Sequence, residues 1–467
     1  MRKALISVVA ILVLLAGYLT LDIFDKVPGF LTRADAPRAP LASPGASGTP
    51  TSSIAPPSPS PSSTAAISTP ASKITAAQVA AAVKKPLASS WLGNTTGLVI
   101  RDVNSGQTLF DQSGSTPLEP ASVTKLLSAW AVSHTMSLQQ RLTTKVVAGS
   151  GNQIVLVAGG DTALNPGKGD PSSVNGYAGL ADLATQVATA LKKAGQTSVT
   201  LAVNTSYAPG PSTVPSWDPA YLSMGYTARI AMLGLSTQRA KAGIPAVDDP
   251  VKATQTAFAK NLTAQGITIT ALASSGPATG ATLGAVQSAP LVDVLGMALQ
   301  DSDNAMIESL VRQAAFTKGV AGDDAALTAW VRDTVAASGF DVTGVKLADV
   351  CGLADGTTIP PRLLADVLQK GASGADARFE EVMSRLPVGG WNGTMDDRFL
   401  QSTNVAAAGE VRAKTGSLTG VSSLAGTVRT DSGQLLVFAI ITNGPQSQGP
   451  YGARAAIDNV VAAVASL

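Results

Sequence analysis

The chain is poor in the side chains that much protein chemistry relies on. Its 467 residues include one cysteine, Cys351, and one histidine, His134. A single cysteine forms no internal disulfide and builds no thiolate cage around a metal. A single histidine excludes a two-histidine zinc helix, and a Ser-His-Asp triad survives only if His134 is its base. Aromatic residues make up 4% and charged residues 14%, the latter against roughly 25% in an average soluble protein. Lys+Arg 33 against Asp+Glu 31 leaves a net charge of +2. Nothing there suggests the basic stripe of a nucleic-acid binder, so no nucleic-acid partner is expected. What is plentiful is apolar surface, at 45%, with Gly 45 and Pro 28 to make turns. That is ample for a buried core, and the length suits two to three domains.

Arg2 and Lys3 precede an uncharged run over 4–21, closed by Asp22. At about 1.5 Å per residue such a run spans about 27 Å as a helix, close to the ~30 Å hydrocarbon core. Positive charge before it predicts a cytoplasmic N-terminus and an exported remainder. The stretch ending the run, Ala16-Gly17-Tyr18-Leu19-Thr20-Leu21, offers no clean small-x-small cleavage site. Residues 1–33 are therefore expected to be a membrane anchor, or a signal whose removal would leave the protein secreted. Nine of the 39 residues in 34–72 are proline, and Asp35 and Arg38 are its two charged residues. That segment buries too little apolar surface to order itself, and it is expected to be a disordered tether.

The rest alternates between strand and helix patterns. Helices are expected over 74–87, 121–136, 180–194, 251–265, 290–315, 327–338, 361–370 and 455–467. Strands are expected over 96–102, 108–111, 144–148, 154–158, 198–204, 267–271, 410–417, 422–430 and 435–442. Strands near both ends with helices between suggest one sheet assembled from the N- and C-terminal segments.

Three motifs carry chemistry. Ser122-Val123-Thr124-Lys125 follows Pro120 and Ala121 at the start of an expected helix. Residues three apart share a helix face, so the amine of Lys125 can reach the hydroxyl of Ser122. Ser302-Asp303-Asn304 is, taken alone, an ordinary helix N-cap. Lys414-Thr415-Gly416-Ser417 ends an expected strand, and a Lys-Thr-Gly-Ser/Thr string arises by chance roughly 0.03 times in such a chain. Gly416 lets a ligand approach the strand edge, and Lys414 with the hydroxyls of Thr415 and Ser417 can bind a carboxylate.

In this order the motifs match the Ser-x-x-Lys, Ser-x-Asn and Lys-Thr-Gly set of the penicillin-recognising serine enzymes. The stretches Val157-Ala158-Gly159-Gly160-Asp161-Thr162-Ala163-Leu164, Leu386-Pro387-Val388-Gly389-Gly390-Trp391-Asn392-Gly393-Thr394 and Ala413 to Val421 narrow the likeness. From about residue 76 to 467 the chain resembles the class C penicillin-binding proteins, the D-alanyl-D-alanine carboxypeptidase/endopeptidases of the penicillin-binding protein 4 type. The resemblance implies an α/β (α+β) fold: a transpeptidase-like domain with an antiparallel sheet flanked by helices, over 73–143 and 285–467, and an inserted domain over 144–284. The family often carries two inserted domains. With 176 residues between Lys125 and Ser302, the second is expected to be reduced or missing. Asp349-Val350-Cys351-Gly352-Leu353-Ala354 departs from the family's Asp-Gly-Ser-Gly-Leu-Ser, and Cys351 is expected to be a buried apolar residue rather than a nucleophile.

The resemblance also implies a mechanism. Ser122 would form an acyl ester, with Lys125 as base, lowered in pKa by burial or by Lys414 acting through Ser302. Ser302 would relay a proton to the leaving amine, and Asn304 would hold the substrate amide and Lys125. Backbone amides of Ser122 and Ser417 would form an oxyanion hole. Lys414, Thr415, Gly416 and Ser417 would bind the substrate's terminal carboxylate. No metal or organic cofactor is needed. The expected partners are peptidoglycan stem peptides and, as covalent inhibitors, β-lactams, met outside the cytoplasm by a head anchored through the N-terminal helix. Two alternatives stand beside this. One is an inert, tethered peptidoglycan-binding module. The other is a β-lactamase, disfavoured because none of the glutamates after Asn304 and before Lys414 heads a Glu-x-x-Leu-Asn pattern.

Overall fold

The structure, a computed structural model, describes residues 73–467. The anchor or signal expected over 1–33 and the tether over 34–72 lie outside the described residues. Among the described residues no helix is long and apolar enough to cross a membrane.

The first half of the chain opens with helix α1 (Ala76–Leu87), whose capping box pairs Thr75 with Gln78. A hairpin of β1 (Thr95–Asp102) and β2 (Thr108–Gln112) follows. Its turn is held by the Asp102 carboxylate, which accepts the Ser105 amide at 2.7 Å, and by Gly106 at φ 68°. A 3-10 turn, Ala121–Thr124, leads into α2 (Lys125–Ser133), buried at every position. Then come β3 (Arg141–Ala148), β4 (Gln153–Val157), α3 (Leu180–Lys193), β5 (Ser198–Asn204), α4 (Pro250–Ala264), β6 (Thr268–Ala273) and β7 (Thr282–Pro290). Four helices, α5 (Leu291–Gln300), α6 (Asn304–Phe316), α7 (Asp324–Ala337) and α8 (Pro361–Ala372), precede the short α9 (Ala377–Met383). Strands β8 (Val411–Leu418), β9 (Val421–Arg429) and β10 (Leu435–Asn443) and helix α10 (Gly449–Ala465) complete it.

Two five-stranded sheets result. The first runs β2-β1-β10-β9-β8 and is antiparallel throughout, with β1 paired to β10 from Thr95↔Asn443 to Asp102↔Leu436. The two ends of the chain thus share one sheet, as their strand patterns suggested. Strands β9 and β10 are buried almost throughout, because helices cover both faces and alternate side chains point to each. Leu98, Ile100, Leu424, Phe438 and Ile440 pack with Val79 and Val83 of α1 and Ile457, Val460 and Val464 of α10. Val99, Val437, Ala439 and Ile441 face the other way, into a core shared with α2 and α8. Each such side chain stabilises the fold by roughly 1.5–3 kcal/mol.

The second sheet lies within 141–290 and runs β6-β5-β4-β3-β7. Strands β3 and β4 are antiparallel, as are β3 and β7, whereas β4, β5 and β6 are parallel. Parallel neighbours need long crossovers, and α3 and α4 provide them. Their Leu183, Val187, Leu191, Phe258 and Leu262 are fully buried or nearly so.

Three local expectations need correction. The segment 290–315 is two helices, not one. It breaks at Asp301-Ser302-Asp303, with Ser302 at φ 55° and Asp303 capping α6 by accepting the Met306 amide. The apolar periodicity runs on across the break and conceals it. The helix expected over 121–136 is α-helical from Lys125 onward, so Ser122 sits in the preceding 3-10 turn. Strand β7 had no clear pattern, since Thr282, Gln287 and Ser288 interrupt its apolar residues.

A buried ion pair fastens the loop before β8 to the last helix. Arg398 and Asp458 are 4% and 6% exposed, and the Arg398 Nε lies 3.0 Å from Asp458 Oδ2. Removing one partner strands the other charge. Asp458→Ala should lower unfolding free energy by about 3–5 kcal/mol in urea titration, and the double variant Arg398→Met/Asp458→Leu should recover most of the loss.

Candidate active site

Strand β8 is an edge strand of the first sheet. The segment 387–389 covers part of its free side, through Gly389 N–H to Val411 O and Ala413 N–H to Pro387 O. Among the described residues no further strand pairs with 415–418 on that side. A Cβ on Gly416 would lie 2.4 Å from the Pro120 carbonyl oxygen and 3.2 Å from the Ser122 amide nitrogen. Glycine at 416 is what lets β8 touch the turn bearing Ser122. The Ser423 hydroxyl fastens the same turn by donating to Pro120 O at 2.6 Å.

That turn is strained. Ala121 adopts φ 49°, a left-handed conformation costly for a residue with a Cβ. It is held by Gly352, where a Cβ would fall 2.0 Å from the Ala121 oxygen, and by the Thr124 hydroxyl, which donates to that oxygen at 2.7 Å.

Lys125 opens α2 with no solvent exposure. Its Nζ lies 2.9 Å from Ser122 Oγ, 2.6 Å from Asn304 Oδ1 and 2.7 Å from the Cys351 carbonyl oxygen. Burial lowers its pKa, against the opposing charges of Asp349, Asp303 and Glu308. As an ammonium its three N–H groups match these three acceptors; as a neutral amine two serve Asn304 and Cys351 and the lone pair faces the Ser122 hydroxyl.

Lys414 is equally buried. Its Nζ donates to Ser302 Oγ at 2.9 Å and to Thr415 O at 2.8 Å. Burial, and then the nearby Lys125, push its pKa well below the ordinary lysine value. The structure therefore holds two hydrogen-bonded sets, Ser122–Lys125–Asn304 and Ser302–Lys414, side by side at one cleft. Thr415, Gly416 and Ser417 follow Lys414 along the strand, with the Thr415 hydroxyl bonded to Thr394 at 2.8 Å. Ser122, Ser302, Asn304 and Ser417 share a cleft of about 1330 Å³ with Tyr221 and Tyr226. His134 takes no part in either set: it stacks on Trp130 at 4.1 Å and its Nε2 pairs with Asp376 at 2.8 Å.

Several positioning groups were not evident from sequence. The Asn304 amide donates to the Tyr226 carbonyl at 2.8 Å. Arg239 binds both Asp301 and Asp303 at 2.9 Å, bracketing Ser302. The Asp349 carboxyl accepts the backbone N–H groups of Cys351, Gly352, Leu353 and Ala354 and the Trp217 indole N–H. It thereby fixes the loop whose Cys351 carbonyl meets Lys125. The Cys351 thiol is fully buried, bonds to Asp349, and is pushed well up in pKa by that burial. Its backbone oxygen, not its sulfur, belongs to the site. An Asp followed three residues later by Gly is the one sequence hint of such a turn. Glu308, Asp349 and Cys351 place three donor atoms within 4.8 Å. Asp349 is already saturated by N–H donors, and Glu308 and the thiol favour their protons, so the trio makes a poor metal site.

Known proteins resemble this one over nearly all of the described chain. A sequence profile of the D-Ala-D-Ala carboxypeptidase 3 (S13) family matches residues 76–244 and 236–464. Carboxypeptidase DacB of Mycolicibacterium smegmatis is 35% identical over 395 residues, covering 83% of this chain and 84% of that one. Carboxypeptidase Rv3627c of Mycobacterium tuberculosis is 33% identical, covering 82% of each. The crystal structure of penicillin-binding protein 4 from Haemophilus influenzae superposes with a TM-score of 0.66 at 20% identity, over 84% of this chain and 98% of that one. The same protein with a β-lactam bound gives 0.60 at 21% identity, over 82% and 98%. The fold is thus the transpeptidase-like α/β arrangement, an antiparallel sheet flanked by helices, that the motifs led one to expect.

Glu308 provides a test of how dry the site is. It is buried behind Lys125, accepts the Val350 amide at 3.1 Å, and burial, then Asp349, raise its pKa to about 8. The unfolded chain releases this proton above its ordinary pKa of 4.5, whereas the native state keeps it to about 8. Native stability is therefore lost as pH rises through that window, by at most about 1.4 kcal/mol per unit. Glu308→Gln removes the titration. Its stability relative to the parent should grow steadily from pH 5 to pH 8 in urea titrations, and a constant difference would mean that Glu308 is ionised in the folded protein.

Proposed function

This chain belongs to the D-Ala-D-Ala carboxypeptidase 3 (S13) family and is a carboxypeptidase; we propose that it removes the terminal D-Ala of peptidoglycan stem peptides through an acyl ester on Ser122 and that penicillins block it covalently. One observation carries the proposal. The Ser122 hydroxyl lies 2.9 Å from the buried Lys125 amine, while Lys414, 289 residues further on, holds Ser302 at 2.9 Å beside the same cleft.

The steps follow from that geometry. Lys125, in the neutral form that burial favours, accepts the Ser122 proton as Oγ attacks the penultimate D-Ala carbonyl. The oxyanion that forms is held by the backbone N–H groups of Ser122 and Ser417, each such donor contributing roughly 2.7–4 kcal/mol in comparable enzymes. The departing amine takes a proton from the Ser302 hydroxyl, which Lys414 holds in place, and the proton that Lys125 took from Ser122 makes good the loss. Water then cleaves the acyl ester and returns Ser122. The same chemistry would cut a D-Ala–diamino acid cross-link, because that bond also joins a D-Ala carbonyl to an amine bearing a neighbouring carboxylate. The catalytic head would work outside the cytoplasmic membrane, held there by residues 1–33 through the tether over 34–72.

The inert-module alternative fits the site poorly, since each reactive side chain keeps its partner. The β-lactamase alternative lacks a deacylating glutamate. Glu308, four residues past Asn304, is buried behind Lys125 rather than facing the cleft.

Purified protein should be labelled by a fluorescent penicillin and should release D-Ala from a pentapeptide. Ser122→Ala should lose both, and a parent protein that shows neither sinks the enzymatic proposal. Turnover of a chromogenic cephalosporin should stall after about one equivalent; sustained turnover would favour the β-lactamase instead.

A further inference from the structure

The residue that supplies positive charge to the substrate's C-terminal carboxylate is open to question, because Lys414 is badly placed for it. Its amine is fully buried and is already bonded to Ser302 Oγ and Thr415 O. Side chains alternate along a strand, so Thr415 and Ser417 face one side of β8 while Lys414 and Gly416 face the other. On the Thr415 and Ser417 side another cation is present. Arg454, in the second turn of α10, donates from Nε to Ser417 Oγ at 3.3 Å, and its guanidinium lies 5.5 Å from the centre of the Tyr451 ring.

We propose that Arg454, rather than Lys414, binds the free carboxylate of the substrate and so sets the preference for a C-terminal acid. The assignment rests on the carboxypeptidase reading above, which provides a substrate with that group. Three observations carry it. Among the described residues lining the cleft, Arg454 is the one basic side chain, against the carboxyl groups of Glu119 and Asp355. Without it the cleft would repel an anionic substrate end. Among the described residues no carboxylate lies within 4 Å of Arg454, so its charge is uncompensated. Finally, bonding through Nε orients the guanidinium and leaves both Nη groups free, the pair of donors that can grip one carboxylate. The low pKa of Lys414 is consistent with this division: one lysine holds the Ser302 hydroxyl inside the dry site, while a permanently charged arginine at its mouth recognises the anion.

The test compares two substrates in each variant, an N-acylated D-Ala-D-Ala acid and its C-terminal carboxamide. The parent should prefer the acid in kcat/KM. In Arg454→Gln that preference should fall by about 10- to 100-fold, mostly through KM for the acid, with the carboxamide changed less than about threefold. Arg454→Lys should restore part of the preference. Because the readout is a ratio within one protein, a general loss of folding or of Ser122 reactivity cancels. An unchanged acid-to-amide ratio in Arg454→Gln, with the parent active on the acid, overturns the assignment and leaves the Ser122 proposal standing. A parent inactive on both substrates overturns the Ser122 proposal and this one with it.

Discussion

Every part of the site answers to one constraint, the burial of the Lys125 amine. A charged ammonium in a dry interior is costly unless each of its protons is matched. Lys125 resolves this with three acceptors drawn from three distant stretches of chain, Ser122, Asn304 and the Cys351 carbonyl. Shedding the charge relieves the cost further, and the neutral amine is the form that can take a proton from Ser122. Burial thus stabilises and activates at once, but only while the acceptors stay in place. The remaining architecture can be understood as what keeps them there.

Much of that support comes from the segment between the first two motifs. Tyr226 supplies the carbonyl that orients Asn304, Arg239 brackets Ser302 through Asp301 and Asp303, and Trp217 donates to Asp349. None of these three touches Ser122 directly. Each holds a residue bonded to one of the two buried lysines, or the loop that carries it. The residues between the first two motifs therefore belong to the framework that holds the candidate site. The rigidity of the broken helix between α5 and α6 depends on contacts made some 60 to 80 residues earlier in the chain.

The sequence revealed the chemistry better than the scaffold behind it. Lys414 to Ser417 is rare by chance and sits at a strand edge, so its place was legible. The alternating strands at both ends announced a shared sheet, because a period of two survives in sequence. The break at Ser302 was masked by Leu295, Leu299, Met306 and Ile307, which keep one apolar rhythm across it, although the N-cap pattern of Ser302-Asp303-Asn304 marked the start of the second helix. The Asp349 loop was equally hidden: a carboxyl that accepts four backbone amides leaves a signal in geometry, not in residue type. Arg454 lies 40 residues beyond Lys414 on another element, and only packing brings it beside Ser417. His134, the one residue that could have been the base of a Ser-His-Asp triad, lies apart from Ser122, stacked on Trp130 and paired with Asp376.

Two of the five non-glycine residues with left-handed backbone among the described residues lie in this framework. Ala121 and Ser302 both adopt left-handed backbone angles, at a cost on the order of 1–3 kcal/mol each. One immediately precedes the hydroxyl proposed to attack, and the other carries the hydroxyl proposed to relay a proton. An ordinary helix would continue through either position and turn both hydroxyls along its own surface. Strain lifts them out of the helical path and toward two amines that burial has disarmed. The strain persists because the Thr124 hydroxyl ties down the Ala121 carbonyl and Arg239 clamps both acids beside Ser302. Relaxing either clamp would lower the energy of the backbone while moving a hydroxyl away from its lysine, so in this fold local stability and reactive geometry oppose one another.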